Sequence, residues 1–393
     1  MSESKSPRVE LYACGTAAVP PDQAKSLVSD LEHRIIPTDL REFGHPRNFR
    51  KVVVLLSPLD SMTLGYFDEN DILPSDPAHS NHANVIYVRP PYLMPDVSEM
   101  ADVEEAAAHE LQHLINFRIR VLDRHLPPQE SWLNEGLAFY AQMANGFWTQ
   151  RDVLKVKAAA SDPGWSINSL VEGDRFLVRH ARVAYGRAGL FVCDLVRRYG
   201  SSIARAVIRS PGSGLEEIDR ALRARRPSAS VRSAFAQWGA DLVTSGATPQ
   251  RWVGRLGLQH IQQASLVSAV TIRSDAPPWS SPSLRVRPWS QSFVTLRSSG
   301  SGALRVTLKT KSSSLFVALV ATSSEDLARP RIAWFRPNVK GIAGAQIGNF
   351  GETYDSATLA ASNAPALGSN QVPALFMASA SVTPSGERQP TGH

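Results

Sequence analysis

"AAAHELQHLINF", residues 106–117, places two histidines four positions apart, with a glutamate directly after the first. The surrounding Ala, Leu and Glu residues favour a helix, in which positions i and i+4 lie on one face. His109 and His113 can therefore reach one metal ion together, and imidazole suits zinc. Glu110 is offset by about 100° around the helix, where it would face an open coordination position and could take a proton from an attacking water. The alternative is a solvated helix face with two chance histidines.

A third ligand is expected downstream, because a catalytic zinc ion usually takes three protein ligands and one water. The two prolines at 127–128 end the first helix, and "ESWLNEGLAFYAQMANG" begins a second one with Ser131 as its N-cap. Helices joined by a short connection are usually antiparallel neighbours. Glu135, 22 residues after His113, is therefore the candidate ligand. Its alternative role is a helix-start glutamate that the helix dipole favours.

Side chains near these ligands are candidates for support. A metal-bound imidazole normally donates its other N–H group to a neighbouring polar group. Asn116, Asn134 and Glu105 are close enough in sequence to supply such partners. The alternative for Asn116 is an ordinary polar residue of the helix.

Length and composition bound the kind of protein. With 393 residues, the chain suggests two or three domains. The 42 Lys and Arg against 36 Asp and Glu give a net charge of +6, and the basic run "RALRARRPS" is typical of a solvated face, so no nucleic-acid partner is expected. The two cysteines make no Cys-type zinc cluster. No apolar run indicates a transmembrane helix or a signal peptide, so the chain as written indicates a cytoplasmic location. A removed leader would leave the same pattern.

The organisation changes along the chain. Residues 1–245 combine a small α/β segment, which includes the strands "KVVVLL" and "NVIYV", with a mostly helical part. We interpret "NVIYV" as a candidate edge strand to which an extended peptide could add, with an interior strand as the alternative. "SGATPQ", 245–250, is a candidate linker. Residues 250–385 alternate short strands with Gly, Ser and Pro turns, which predicts a β-sandwich-like domain. Residues 386–393 are predicted to be a disordered tail.

The motifs resemble known families. "HELQH" followed by "WLNEGLAFY" resembles the gluzincin metallopeptidases, and "WLNEG" with "AYGRAGLFVCDLVRRYG" is shared with the M1 aminopeptidases. In the M1 family the second string carries a transition-state tyrosine, here Tyr185. The M1 family has a shorter gap than the 21 residues between His113 and Glu135, and its Gly-x-Met-Glu-Asn signature, which anchors the substrate amino terminus, is absent here.

The resemblance to the M30 (hyicolysin-like) family is closer. It runs through "GYFDENDILP", "SNHANVIYV", "AHELQHLINF", "WLNEGLAFYA" and "AYGRAGLFV", over about residues 30–210. It implies an α+β zincin-like catalytic domain and a zinc metallopeptidase, usually secreted. One Zn²⁺ would be held by His109, His113 and Glu135, with Glu110 as general base. Tyr185 would donate a hydrogen bond to the oxyanion of the transition state, with His180 as the alternative donor.

Our prediction is a zinc endopeptidase that acts on proteins or peptides. Two alternatives stay open: a zinc aminopeptidase with a different anchor for the amino terminus, and a non-catalytic, zinc-stabilised binding or adhesion protein. The C-terminal domain would bind a surface polymer or cover the catalytic domain. A Ca²⁺ site is not favoured, because the spacing of the loop acids does not fit an EF-hand; these acids are Asp68, Glu69, Asp71 and Asp76.

Overall fold

The computed structural model describes residues 2–13, 15–17, 19–60, 63–73, 80–90, 100–169, 178–244, 268–273, 275, 277–325 and 329–384. The chain separates into two compact units: Met1–Asp152 with Ala188–Pro227, and Val153–Arg187 with Ser228–His393. The predicted linker at 245–250 and tail at 386–393 lie outside the described residues. Within the described residues, no helix has the length and apolar character needed to span a bilayer.

The first unit contains a five-stranded sheet in the order β1-β2-β3-β5-β4. Strands β2, β3 and β5 are parallel, whereas β1 and β4 run antiparallel to their neighbours. "NVIYV" forms β5 and is an interior strand between β3 and β4, so its interpretation as an edge strand is wrong; the edge strand on this side of the sheet is the two-residue β4. The strands are β1 (Ser2–Lys5), β2 (Val9–Ala13), β3 (Val52–Leu56), β4 (Gly65–Tyr66) and β5 (Asn84–Val88).

The first unit also contains most of the helices that precede residue 228. The third helix carries the histidine motif, and it packs against β5, the second helix and the fourth helix. Two helices have residues in both units: the fifth begins in the first unit and ends in the second, and the sixth begins in the second and ends in the first. In chain order the helices are α1 (Pro21–Asp30), α2 (Ile36–Phe43), α3 (Met100–Phe117), α4 (Ser131–Ala144), α5 (Gln150–Ser161), α6 (Val178–Tyr199), α7 (Ser202–Arg209) and α8 (Leu215–Arg225); single π-helical stretches at Leu31–Ile35 and Arg118–Asp123 precede α2 and follow α3.

The second unit contains helix α9 (Val231–Val243) and two sheets, in the orders β13-β10-β15-β7, with β8 also paired to β15, and β12-β11-β14-β9-β6. The apolar side chains that point between these sheets form one shared core. The strands are β6 (Ser268–Ile272), β7 (Trp279–Ser280), β8 (Leu284–Val286), β9 (Ser290–Ser298), β10 (Gly302–Thr310), β11 (Leu315–Thr322), β12 (Arg331–Trp334), β13 (Ile342–Phe350), β14 (Ser356–Asn363) and β15 (Ala374–Pro384).

Helix α9 covers the outer face of one of these sheets. Ala240 packs there with Phe293, Val320 and Ala360, which explains why β11 and β14 are buried on both faces. The other sheet, which contains β10, β13 and β15, keeps an exposed outer face. The coarse prediction of a mixed α/β chain with a helical part and a β-rich C-terminal region is therefore confirmed.

Candidate metal centre

Helices α3 and α4 bring His109, His113 and Glu135 together. One donor atom from each lies within 4.8 Å of the others, and no other such group of three or more occurs in the described part of the chain. Glu135 Oε2 lies 3.0 Å from His109 Nε2 and 3.8 Å from His113 Nε2. The second distance is too long for a hydrogen bond, but it suits two ligands of one ion. The arrangement follows from α4 returning antiparallel along α3 after the Pro-Pro break.

The orientation of the Gln142 amide shows which ring nitrogen of His109 carries the hydrogen. The Gln142 amide group donates through Nε2 to Glu105 Oε1, because a carboxylate can only accept. Its Oε1 atom then lies 3.3 Å from His109 Nδ1. Since an amide oxygen also only accepts, Nδ1 carries the hydrogen. His109 Nε2 is therefore the unprotonated ring nitrogen, and its lone pair can bind a cation.

That lone pair points at a carboxylate oxygen of Glu135, at 3.0 Å. Two acceptors at this distance repel each other unless a positive charge lies between them or the ring is protonated. A divalent cation satisfies both atoms at once, so the donor set fits a metal ion. Two imidazole nitrogens and one carboxylate oxygen suit zinc, and other borderline divalent ions bind the same donors.

His113 is the most buried of the three ligand candidates. Burial lowers the pKa of His113 to about 4, although Glu135 and the Asn134 side chain oppose this shift. The ring is therefore neutral near pH 7 and has a lone pair available for a metal. Asn116 Nδ2 donates to Asn134 Oδ1 at 2.6 Å and to Gln129 Oε1 at 2.8 Å. Asn116 thus holds Asn134, and Asn134 is the one that lies beside His113.

Glu110 is buried on α3 next to the three ligand candidates but outside their group. The pKa of Glu110 is raised to about 7, mainly by burial; His109 opposes this shift and Glu135 adds to it. Gly65, on the edge strand β4, lies directly against this side chain. A Cβ atom at Gly65 would lie 2.8 Å from Glu110 Cγ and 2.9 Å from the Tyr87 carbonyl oxygen.

Tyr185 and His180 lie on α6 in the second unit, whereas the ligand candidates lie in the first. The Lys155 ammonium group lies 5.8 Å from the centre of the Tyr185 ring. The His180 ring stacks on Trp165 at 4.7 Å. The oxyanion role of Tyr185 remains a prediction.

Two of the loop acids, Asp68 and Asp71, accept hydrogen bonds from neighbouring residues. Asp68 accepts from the backbone and side-chain amides of Asn70. Asp71 is buried and accepts from the Tyr87 hydroxyl at 2.9 Å and from the Asn81 amide. These hydrogen bonds give Asp68 and Asp71 structural roles within the loop, and Asp76 lies outside the described residues.

Sequence reasoning missed two residues at this centre. Gln142 had a usable signal, because it follows Glu135 by seven residues and so lies two turns away on the same face of α4. Gly65 had none, because its contact with Glu110 depends on the pairing of β4 with β5.

Comparisons with known proteins give little further information. No family model and no curated protein matches the chain. The pre-peptidase C-terminal domain of a collagenase from Bacillus anthracis matches at 7% identity and a TM-score of 0.21, over 29% of this chain and 93% of that one. PliG from Aeromonas hydrophila, a periplasmic inhibitor of g-type lysozyme, matches at 11% identity and a TM-score of 0.21, over 30% of this chain and 99% of that one. Similarities this low support no conclusion about function.

Proposed function

We propose that this protein is a zinc-dependent metalloendopeptidase of the gluzincin type, similar to the M30 family. The observation that carries the proposal is the group of His109, His113 and Glu135, whose donor atoms lie within 4.8 Å of one another, with a buried carboxylate beside it that is not one of the ligands. A structural zinc site is normally closed by four protein ligands. Three ligands and an adjacent base are the arrangement of a hydrolytic site.

Each residue has a distinct role in the proposed reaction. A bound zinc ion would supply Lewis acidity and make an attacking water more acidic. Glu110 would accept a proton from that water and pass it to the leaving amine. Its burial strengthens its electrostatic interactions, since the local dielectric is low. Gln142 would hold the His109 ring in place. The role of Tyr185 as hydrogen-bond donor to the oxyanion rests on the family resemblance alone.

The edge strand supports cleavage within a peptide chain. Strand β4 pairs only with β5 among the described strands of its sheet, and its Gly65 adjoins Glu110. An extended substrate that adds to β4 through backbone hydrogen bonds would pass the proposed base. Such binding depends on few substrate side chains and needs no free amino terminus, which favours an endopeptidase.

The direct test compares the wild-type protein with Glu110→Gln. We expect both to bind about one zinc ion per chain, while casein cleavage by the variant falls by at least ~10²-fold because the general base is lost. Glu104→Gln is the matched control, since it removes a carboxylate from the same helix, where Glu104 pairs with Arg34 at 2.5 Å and not with the metal ligands. It should keep cleavage activity.

The outcomes separate the alternatives. If the wild-type protein binds no stoichiometric metal, the metal site is wrong. If Glu110→Gln binds zinc and cleaves as fast as the wild type, the mechanism is wrong. Peptides with a blocked amino terminus distinguish the endopeptidase, which should cleave them, from an aminopeptidase, which should not.

A further inference from the structure

The C-terminal strands carry an uneven charge. Between residues 276 and 386 the sequence has ten Lys and Arg but only four Asp and Glu. All four acids belong to two connections, 323–330 between β11 and β12 and 351–355 between β13 and β14. The backbone N–H group of Ser324 donates to Asp355 at 2.7 Å, so these connections meet at one end of the two sheets.

The opposite end of the sheets is basic. It is formed by the connections that follow β8, β10, β12 and β14, together with the adjoining strand residues, and none of these segments contains an acidic residue. Among the described residues, none of the cations at this end has an ion-pair partner. They are Arg285, Arg287, Lys309, Lys311, Arg336 and Lys340, and all are exposed.

Exposed aliphatic side chains lie among these cations. Strand register places Lys309 between Ile342 on one side and Met377 on the other, and it pairs Leu375 with Arg285. Val339, in the connection between β12 and β13, is fully exposed, and Val372 and Leu375 are 61% and 53% exposed. We call this surface the basic apolar tip, defined by the six cations together with Val339, Ile342, Val372, Leu375 and Met377.

We propose that the basic apolar tip docks on an anionic lipid bilayer. Cations near such a surface are attracted to its negative potential, and aliphatic side chains that protrude among them gain free energy by entering the boundary between headgroups and acyl chains. A soluble polyanion would pair with the cations but would offer no apolar environment for the exposed aliphatic side chains. This inference does not depend on the proposed peptidase activity.

The test measures binding of the full chain to vesicles by flotation. We expect binding to equimolar phosphatidylglycerol and phosphatidylcholine, and much weaker binding to phosphatidylcholine alone. Lys309→Gln with Lys340→Gln should weaken binding to the anionic vesicles roughly 10- to 30-fold. The matched control is Arg297→Gln with Arg331→Gln, two exposed cations outside the tip. It removes the same charge and should leave binding unchanged.

A second pair tests the apolar part of the basic apolar tip. Val339→Ser with Leu375→Ser keeps the charge and should weaken vesicle binding roughly tenfold. Both side chains are exposed, so the unfolding temperature should not change. Absence of wild-type binding to anionic vesicles overturns the proposal, as does an equal loss in the tip and control cation pairs. Unchanged vesicle binding in the serine pair, with tight binding to heparin, would instead identify a polyanion site.

Discussion

Gly65 shapes the candidate metal centre by its lack of a side chain. An added Cβ atom would lie 2.8 Å from Glu110 Cγ and 2.9 Å from the Tyr87 backbone oxygen, so it could fit only if the Glu110 side chain moved and strands β4 and β5 shifted slightly apart. A displacement of about 1 Å in a catalytic group can lower the rate ~10²-fold. We therefore predict that Gly65→Ala lowers kcat by about 10- to 100-fold, with little change in KM and full zinc content.

A matched control for Gly65→Ala is Gly348→Ala, because a Cβ atom at Gly348 would meet nothing within 4 Å. Steady-state kinetics and metal analysis on both variants make the comparison. Wild-type kcat in Gly65→Ala would show that Glu110 is not held by this contact. Loss of zinc in that variant would place the effect on the ligands instead.

Two buried glutamines provide a second test at the level of single residues. Gln142 links His109 to Glu105, and loss of such a partner typically lowers metal affinity 10- to 100-fold. We predict this loss for Gln142→Met, measured by competition with a zinc chelator. An affinity equal to that of the wild type would contradict the assignment of the His109 proton.

Gln112 is the matched control, because it is fully buried on α3 and neither polar atom of its side chain has a partner among the described residues. Gln112→Met removes two unsatisfied polar atoms. It should therefore raise the free energy of unfolding by about 1 kcal/mol and leave zinc affinity unchanged. Chemical denaturation of the two variants would measure the difference.

Helices α3 and α4 supply all three ligand candidates, so a bound metal would join them. A ligand present at 100 times its Kd stabilises the folded state by about 2.7 kcal/mol. We predict that a chelator lowers the unfolding temperature of the wild-type protein and that added zinc restores it. The His113→Ala variant should have a lower unfolding temperature than the wild type, and the chelator should not change it. An equal response in both proteins would mean that the stabilising ion binds elsewhere.

The π-helical stretch after α3 carries a buried arginine that joins it to the α7–α8 connection. Arg120 donates to the backbone oxygens of Ile208, Ser210 and Gly212, and to Glu217 Oε1 at 2.7 Å. Removing one partner of a buried pair leaves an uncompensated charge and typically costs 3–5 kcal/mol. We predict a loss of about that size in the free energy of unfolding for Arg120→Met.

Arg223→Met is the matched control for Arg120→Met, because the Arg223 side chain is largely exposed and pairs with Asp219 on the surface of α8 at 2.6 Å. Exposed pairs contribute less than about 1 kcal/mol. Denaturant titration of the two variants measures the difference. Equal losses would mean that Arg120 contributes no more than a surface ion pair.

The elements that sequence predicts best are those with a strong local pattern. Helices α3 and α4 have helix-forming residues, a clear break between them and the ligand spacing. Strands β13 and β14, "IAGAQIGNF" and "SATLAASN", were not predicted, since small residues give them no alternation. Strand β14 is buried on both faces, and such strands lose the period-two signal. The sequence also does not predict that β5 is an interior strand, because strand order depends on contacts between segments that are distant in the chain.

At the scale of the whole molecule, composition and packing divide the chain differently. Composition changes near 245–250, whereas the compact units place Val153–Arg187 and α9 with the C-terminal strands. Specific contacts within the second unit explain this. Ile167 N donates to the Trp289 oxygen at 3.0 Å, Gln291 N donates to Pro163 at 2.9 Å, and the buried Arg187 donates to Gln291 Oε1 at 2.9 Å. None of these contacts has a sequence signal.

A chain that ends at residue 244 should therefore fold poorly, even though it keeps every proposed ligand. Phe235 on α9 packs edge-on against Trp289 at 5.4 Å, and Ala240 packs on the outer face of the β11–β14 sheet. Removing the strands exposes these apolar residues, and truncating one buried Phe or Trp alone costs about 3–5 kcal/mol. We predict aggregation and strong binding of a hydrophobic dye for this chain, while a chain that ends at residue 384 behaves as the wild type. A monomeric 1–244 chain with one cooperative unfolding transition would show instead that the helical part is independent of the strands.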